Sequence, residues 1–217
     1  MIKRVTLFCG HYGSGKSNLA VNYAAFLRKK GLKTALADID IVNPYFRSAD
    51  SRAELTEMGV RVISLPFANT NVDLPALPPE LYGLVERRDE YAVLDVGGDD
   101  RGALALGRYT PYILEENNYE MLLVVNFYRP LTESIEDELE VMREIESAAG
   151  IRFTGLVNNS NLGAETTAGD VMRTVPMAEE LSHITGLPIL FTSFEERLRG
   201  EVKCDNPFTM KLQRKLF

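Results

Sequence analysis

The chain has 217 residues, 45% hydrophobic and 25% charged, the balance of a globular protein with one good core, and a formal charge of -7. No run approaches the roughly 20 uninterrupted apolar residues that cross a bilayer. Met1-Ile-Lys-Arg4 enters a short strand without a secretory core, and Cys9 and Cys204 make neither a disulfide framework nor a zinc site, so the cytoplasm is the expected location.

The first predicted strand, Arg4–Cys9, runs into Gly10-His11-Tyr12-Gly13-Ser14-Gly15-Lys16-Ser17, which fits G-x-x-x-x-G-K-[ST] at every required position. A helix is predicted over Asn18–Lys30, with Leu19, Ala20, Tyr23, Ala24 and Leu27 on one side. Strand, glycine loop and helix are the arrangement a phosphate site needs. Gly13 and Gly15 let successive N–H groups converge, and the helix N-terminus adds its dipole and free donors. Lys16 would reach the β- and γ-phosphates, and the Ser17 hydroxyl would ligate Mg²⁺. The cradle is therefore expected to comprise Gly10 through Asn18.

A second strand, Thr34–Ala37, leads into Asp38-Ile-Asp40, whose alternation points both carboxylates to one side. Asp38 would support the metal shell and Asp40 would orient or deprotonate the attacking water; two solvated loop acids are the alternative. After a strand at Arg61–Leu65, the proline-rich stretch Asn69–Pro79 reads as a surface loop, with Pro79 or Glu80 opening a helix. The strand Tyr91–Val96 carries Asp95, a second candidate for the hydrated Mg²⁺ or else a simple strand cap. Gly98 would offer its N–H to the γ-phosphate.

Further strands are predicted at Met121–Asn126, Phe153–Asn158 and Pro188–Thr192. Between the first two, Ile135, Leu139, Met142, Ile145 and Ala149 recur at helical steps after Thr132, with a solvated acidic face and a stop at Gly150. The alternation gives a three-layer α/β fold: a mostly parallel twisted sheet of about seven or eight strands, helices on both faces, and residues 1–217 as a single domain. The tail 206–217 mixes Phe208, Leu212, Leu216 and Phe217 with Lys211, Arg214 and Lys215. It reads as a short amphipathic helix, either packed on the body or touching a membrane surface. The overall negative charge makes nucleic acid an unlikely partner.

The loop, the Asp-x-Asp about twenty residues on and the Asp-x-x-Gly strand end together resemble the MinD/ParA/Mrp branch of P-loop ATPases, within the SIMIBI class. The resemblance implies ATP and Mg²⁺ as ligands, an ATP-dependent homodimer, and slow hydrolysis under the control of an unidentified protein partner. It also implies that Asn159, after Gly155-Leu-Val-Asn158, faces adenine, where an amide both donates and accepts; two turn-forming asparagines are the plainer reading. Asn161 lacks the carboxylate that a guanine site of the Asn-Lys-x-Asp kind would use. Many members carry a second lysine directly after the first glycine of the loop. Here that place is His11, a loop residue whose neutral imidazole carries no permanent charge, which leaves Arg101 or Arg47 as candidate replacements. Without cysteines paired across a dimer axis, no iron–sulfur cluster is expected. The alternatives are an ATP-dependent small-molecule kinase or a ligase resembling dethiobiotin synthetase, for which no acceptor pocket is legible, and a nucleotide-dependent binding module with negligible turnover.

Overall fold

Strands that are apolar on consecutive residues are covered on both faces, and this sheet is built of them. The structure, a computed structural model, describes residues 2–40, 49–64, 79–98 and 100–212. Its strands are β1 (Val5–Cys9), β2 (Thr34–Asp38), β3 (Arg61–Ser64), β4 (Tyr91–Asp95), β5 (Tyr119–Val125), β6 (Gly155–Asn158), β7 (Ile189–Glu195) and β8 (Pro207–Met210). They form one eight-stranded sheet in the order β3-β2-β4-β1-β5-β6-β7-β8, every neighbouring pair parallel. The helices are α1 (Lys16–Lys29), α2 (Ala49–Glu57), α3 (Pro79–Arg87), α4 (Asp100–Gly107), α5 (Thr110–Glu116), α6 (Ile135–Ala149) and α7 (Ala168–Thr185).

Strand parity divides the core in two. Leu7, Ala35, Leu94, Leu123 and Leu156 point to the face covered by α3 through α7. Phe8, Leu36, Val93, Val124, Val157 and Phe191 point to the face covered by α1 and α2. Asp95 lies two residues beyond Val93, and Asp38 two beyond Leu36. Both side chains therefore leave the sheet on the α1 side. The strand order runs outward in opposite senses from β1, and the glycine loop sits at the C-terminal end of β1, where open parallel sheets leave a crevice.

Local signals set the helix ends. The Ser134 side chain accepts from the Asp137 N–H while the Asp137 carboxylate accepts from the Ser134 N–H, and Gly150, at φ 66°, closes α6. The same reciprocal cap joins Thr167 and Asp170 at the start of α7. The predicted strands match the observed ones to within a few residues. The proline-rich stretch lies outside the described residues up to Pro79, where α3 opens.

The C-terminal segment departs from its expected form. Pro207–Met210 is not a helix but an edge strand parallel to β7. The Phe208 ring packs 4.7 Å from Phe191 and 5.7 Å from Phe26, centroid to centroid, and Met210 is buried. A helix of about ten residues is marginal in water, whereas an extended segment here gains a strand partner and an aromatic cluster. Asn22 on α1 then grips Lys211 by both main-chain groups, Nδ2 donating to the carbonyl and Oδ1 accepting from the N–H. Residues 213–217, with Arg214, Lys215, Leu216 and Phe217, lie outside the described residues. Among the described residues, no helix is long and apolar enough to cross a membrane.

Candidate nucleotide site

The loop from Gly10 to Ser17 makes its turn at glycines in the left-handed region: Gly13 at φ 81° and Gly15 at φ 89°. Gly10 has no room for a side chain, since a Cβ there would lie 2.5 Å from the Val124 carbonyl of β5. Gly15 is the N-cap of α1, and neither a side-chain cap nor a first-turn acid satisfies the helix start. The first N–H groups of α1 are thus left to an external acceptor, at the end where the helix dipole is positive. Lys16 is buried, and its Nζ donates to the His11 carbonyl at 3.3 Å, folding the ammonium back over the loop. This cradle suits phosphate oxygens: several converging donors, one ammonium and no competing anion within the loop.

The carboxylates gather at the ends of neighbouring strands. Asp38 and Asp95 are register partners in β2 and β4, and Phe8 of β1 is the partner of Asp95 on the other side. The Asp38 Oδ1 accepts from the Asp40 N–H at 3.1 Å, which fixes the turn after β2. Asp40 is buried, with its carboxylate against Gly97, where a Cβ would stand 3.3 Å from Oδ1. Asp95 is fully buried, and neither of its oxygens has a hydrogen-bond partner of ordinary geometry. Burial raises its pKa to about 6 and the Asp40 charge adds to this, while Lys16 and Ser17 pull it down. Two orphaned carboxylate oxygens beside an ammonium and a serine hydroxyl fit a hard divalent cation. Among the described residues no three protein ligands form a closed metal cage. Ser17, Asp95 and Asp38 are the residues that could hold such a cation, with water or phosphate oxygens completing its shell.

Other predicted residues take positions that the sequence did not specify. Gly98 presses on the outer side of the cradle: a Cβ would meet the Gly10 carbonyl at 2.5 Å and the Tyr12 nitrogen at 2.8 Å. Its neighbour Gly97 packs on Gly102 of α4, with 3.1 Å between its would-be Cβ and the Gly102 Cα. The His11 Nδ1 donates to the carbonyl of the adjacent, exposed Tyr12 at 2.9 Å. The Asn18 amide turns away toward the Met210 sulfur of β8. Arg47 and the side chain of Arg101 lie outside the described residues.

Asn159 does not present its amide to the crevice. It is buried, its Nδ2 donates to the Ser14 carbonyl at 2.6 Å, and its Oδ1 accepts from the Ser193 hydroxyl at 2.6 Å. It ties the phosphate loop to β7 from beneath Gly15. Asn161 is also engaged, donating to the Asn159 carbonyl and accepting from the Gly163 N–H. Behind them the fully buried Asn126, at the end of β5, accepts with Oδ1 from the Tyr128 and Asn161 N–H groups.

Sequence reasoning missed Arg129 and Glu138. In the turn after β5, the Arg129 Nε donates to the Gly13 carbonyl at 3.1 Å. The Glu138 carboxyl of α6 is buried, accepts from the Asn126 N–H at 3.3 Å, and leaves Oε2 without a partner. Burial raises its pKa to about 8. Glu138 looked like one more member of a solvated acidic face, and only helix phase relative to β5 could have singled it out. Arg129 follows a strand end with no motif around it.

The parallel sheet, the glycine loop at the end of β1 and the carboxylate-tipped neighbouring strand define an α/β fold of the P-loop NTPase type. Solved structures similar to it include the signal recognition particle receptor FtsY of Elizabethkingia anophelis, with a TM-score of 0.58 and 16% identity over 94% of this chain. FtsY of Thermotoga maritima gives 0.60 and 18% over 89%, and chloroplast FtsY of Physcomitrella patens 0.59 and 17% over 88%. The chain spans only 61%, 62% and 58% of those three proteins. No protein-family model matches the chain, and no curated protein matches it.

Proposed function

We propose that the chain is a Mg-ATP-binding switch that hydrolyses ATP slowly, dimerises with nucleotide bound, and has its rate set by a protein partner. The observation that carries this reading is the uncapped start of α1, facing the same crevice as the orphaned carboxylate of Asp95. Donors without acceptors and acceptors without donors lie side by side there, and a metal–phosphate complex satisfies both.

Ser17, Asp95 and Asp38 would hold a Mg²⁺, which would supply charge neutralisation to phosphoryl transfer. The chain supplies the rest. The amides of Gly13 through Ser17 and the Lys16 ammonium hold the phosphates and stabilise the departing ADP oxygen. Asp40 orients a water whose oxygen attacks the γ-phosphorus as the bond to the β,γ-bridging oxygen breaks. The water's protons pass to Asp40 or to the released phosphate. Asn159 braces the cradle through its amide, and Gly98 packs on the Gly10–Tyr12 backbone, with its N–H proposed to meet the γ-phosphate.

GTP is the second reading. It is favoured by the structure of the Elizabethkingia FtsY in complex with GDP, which has a TM-score of 0.52 to this chain. Against it stands Asn161, which offers no carboxylate to guanine N1–H and N2–H. Calorimetric titration of the full chain with ATP and GTP, each with Mg²⁺, decides between them. Tighter ATP binding with slow phosphate release supports the first reading. Tenfold tighter GTP binding moves the assignment to GTP, and binding of neither removes both.

A further inference from the structure

The turn after β5 is built to hold one side chain still. Thr132, buried at its end, donates from Oγ1 to the carbonyls of Asn126 and Arg129, and the Arg129 N–H donates to the Asn126 carbonyl. The turn also contains Leu131, 74% exposed, in the left-handed region at φ 70°. A leucine in that conformation costs about 1 kcal/mol or more, and among the described residues its side chain is largely exposed.

What this turn presents is the Arg129 guanidinium. Its Nε rests on the Gly13 carbonyl, and its Cδ lies 3.7 Å from where a Cβ of Gly13 would be. Nη1 and Nη2 make no hydrogen bond, and Arg129 forms no ion pair, among the described residues. A permanent cation is therefore pinned on the phosphate loop, near the positive end of α1, with no ion-pair partner among the described residues. Lys16 has the Asp95 carboxylate near it, whereas Arg129, reaching the loop from the β5 side, is left to an anion from outside the chain.

We infer that Arg129 is a second phosphate-binding cation. Its Nε is anchored on Gly13, and its two amino groups contact the phosphate chain of a bound nucleoside triphosphate. It supplies from the β5 side, and from the same chain, the permanent charge that His11 does not. This rests on the nucleotide reading above. Arginine suits the post because its planar fork keeps one N–H on the carbonyl while offering two more to oxygens.

The test is calorimetry of the full chain with Mg-ATP, Mg-GTP and adenosine at two salt concentrations, for wild type, Arg129→Gln, Arg129→Lys and Lys16→Ala. Glutamine can still donate to the Gly13 carbonyl but has no charge. The expected result is a loss of triphosphate affinity of about tenfold or more in Arg129→Gln. It should come with a shallower salt dependence than wild type and partial recovery in Arg129→Lys. If Lys16→Ala loses binding while Arg129→Gln stays within about twofold of wild type, the arginine assignment falls and the phosphate loop stands. A loss in Arg129→Gln with unchanged salt dependence and no recovery by lysine reduces Arg129 to a support for the loop and overturns the proposal. If wild type binds no nucleotide at all, both readings fail together.

Discussion

Asp38 and Asp95 are paired residue to residue across β2 and β4, the last residues of their strands, and both carboxylates leave the sheet toward the start of α1. Burial, with the Asp40 charge added, raises the Asp95 pKa to about 6 against the pull of Lys16 and Ser17.

Asp95→Asn therefore separates stability from function. The carboxyl's pKa is raised in the fold, so its unfavourable contribution is absent below the unfolded value near 4 and grows as pH climbs to about 6. At pH 8, in the absence of Mg²⁺ and nucleotide, Asn should make the protein more stable by about 1–3 kcal/mol, seen as a higher melting temperature. The same variant should lose the Mg²⁺ dependence of nucleotide binding. A lower melting temperature for the metal-free variant would show that the ionised carboxylate is already compensated.

The same titration predicts how binding responds to acid. In the proposed site Mg-nucleotide binds the ionised carboxylate, so affinity should be level above pH 7 and decline below about 6, approaching tenfold per unit. Calorimetry in buffers of different ionisation heat should also show proton release on binding near pH 6. A flat profile from pH 5 to 8 would remove Asp95 from the metal shell.

Asp40→Ala is expected to retain Mg-ATP binding within a few-fold and to slow phosphate release about 100-fold or more, the contribution typical of a positioned acid–base group. Binding and single-turnover hydrolysis, measured side by side, check it. Unchanged turnover would leave Asp40 as a buttress for Gly97.

The scaffold and the phosphate loop were legible because they obey local rules: apolar runs for buried strands, two glycines for a left-handed bend, Gly150 for a helix stop. The carboxylates were legible because they end strands. The anchoring contacts of Asn159 were not legible because they depend on β7 and on the loop 145 residues earlier in the chain, a distance no local pattern encodes. The tail was misread for the same reason. Its basic and apolar residues satisfy a helical pattern, but Phe191 and Phe26 draw Phe208 into an extended strand.

Asn159→Ala tests this anchoring role against base reading. It leaves the buried Ser14 carbonyl and Ser193 hydroxyl each short of a partner, a cost of about 1–3 kcal/mol. Because the anchor braces the loop, affinity for triphosphate and for diphosphate should drop together, with no change in preference between adenine and guanine. A selective loss of adenine nucleotide would restore the base-reading role.

The buried acid of α6 gives an independent pH signature. With its pKa raised to about 8, Glu138 is protonated in the fold while its unfolded counterpart ionises near 4.5. Its contribution should lower stability steadily as pH rises from about 5 to 8 and then level off. Glu138→Gln should flatten that slope and leave the protein more stable than wild type at pH 9, as denaturant titrations at several pH values would record. An unchanged slope would mean the carboxyl is ionised in the fold.

Truncation must respect β8. Ending the chain at Asp205 removes an edge strand and the Phe208 cluster, so the informative shortened protein ends at Leu212. Vesicle sedimentation of that protein and the full chain, with anionic lipid and with or without ATP, should show no difference if the tail serves packing alone. ATP-dependent pelleting of the full chain only would assign residues 213–217 to a membrane.

The most direct test of the central claim is the electron density of crystals soaked with Mg²⁺ and a non-hydrolysable triphosphate. A β-phosphate is expected within about 3 Å of the N–H groups of Gly13 through Ser17, with the metal between the Ser17 hydroxyl and Asp95. A triphosphate bound elsewhere, or a cradle left empty at saturating nucleotide, would contradict it.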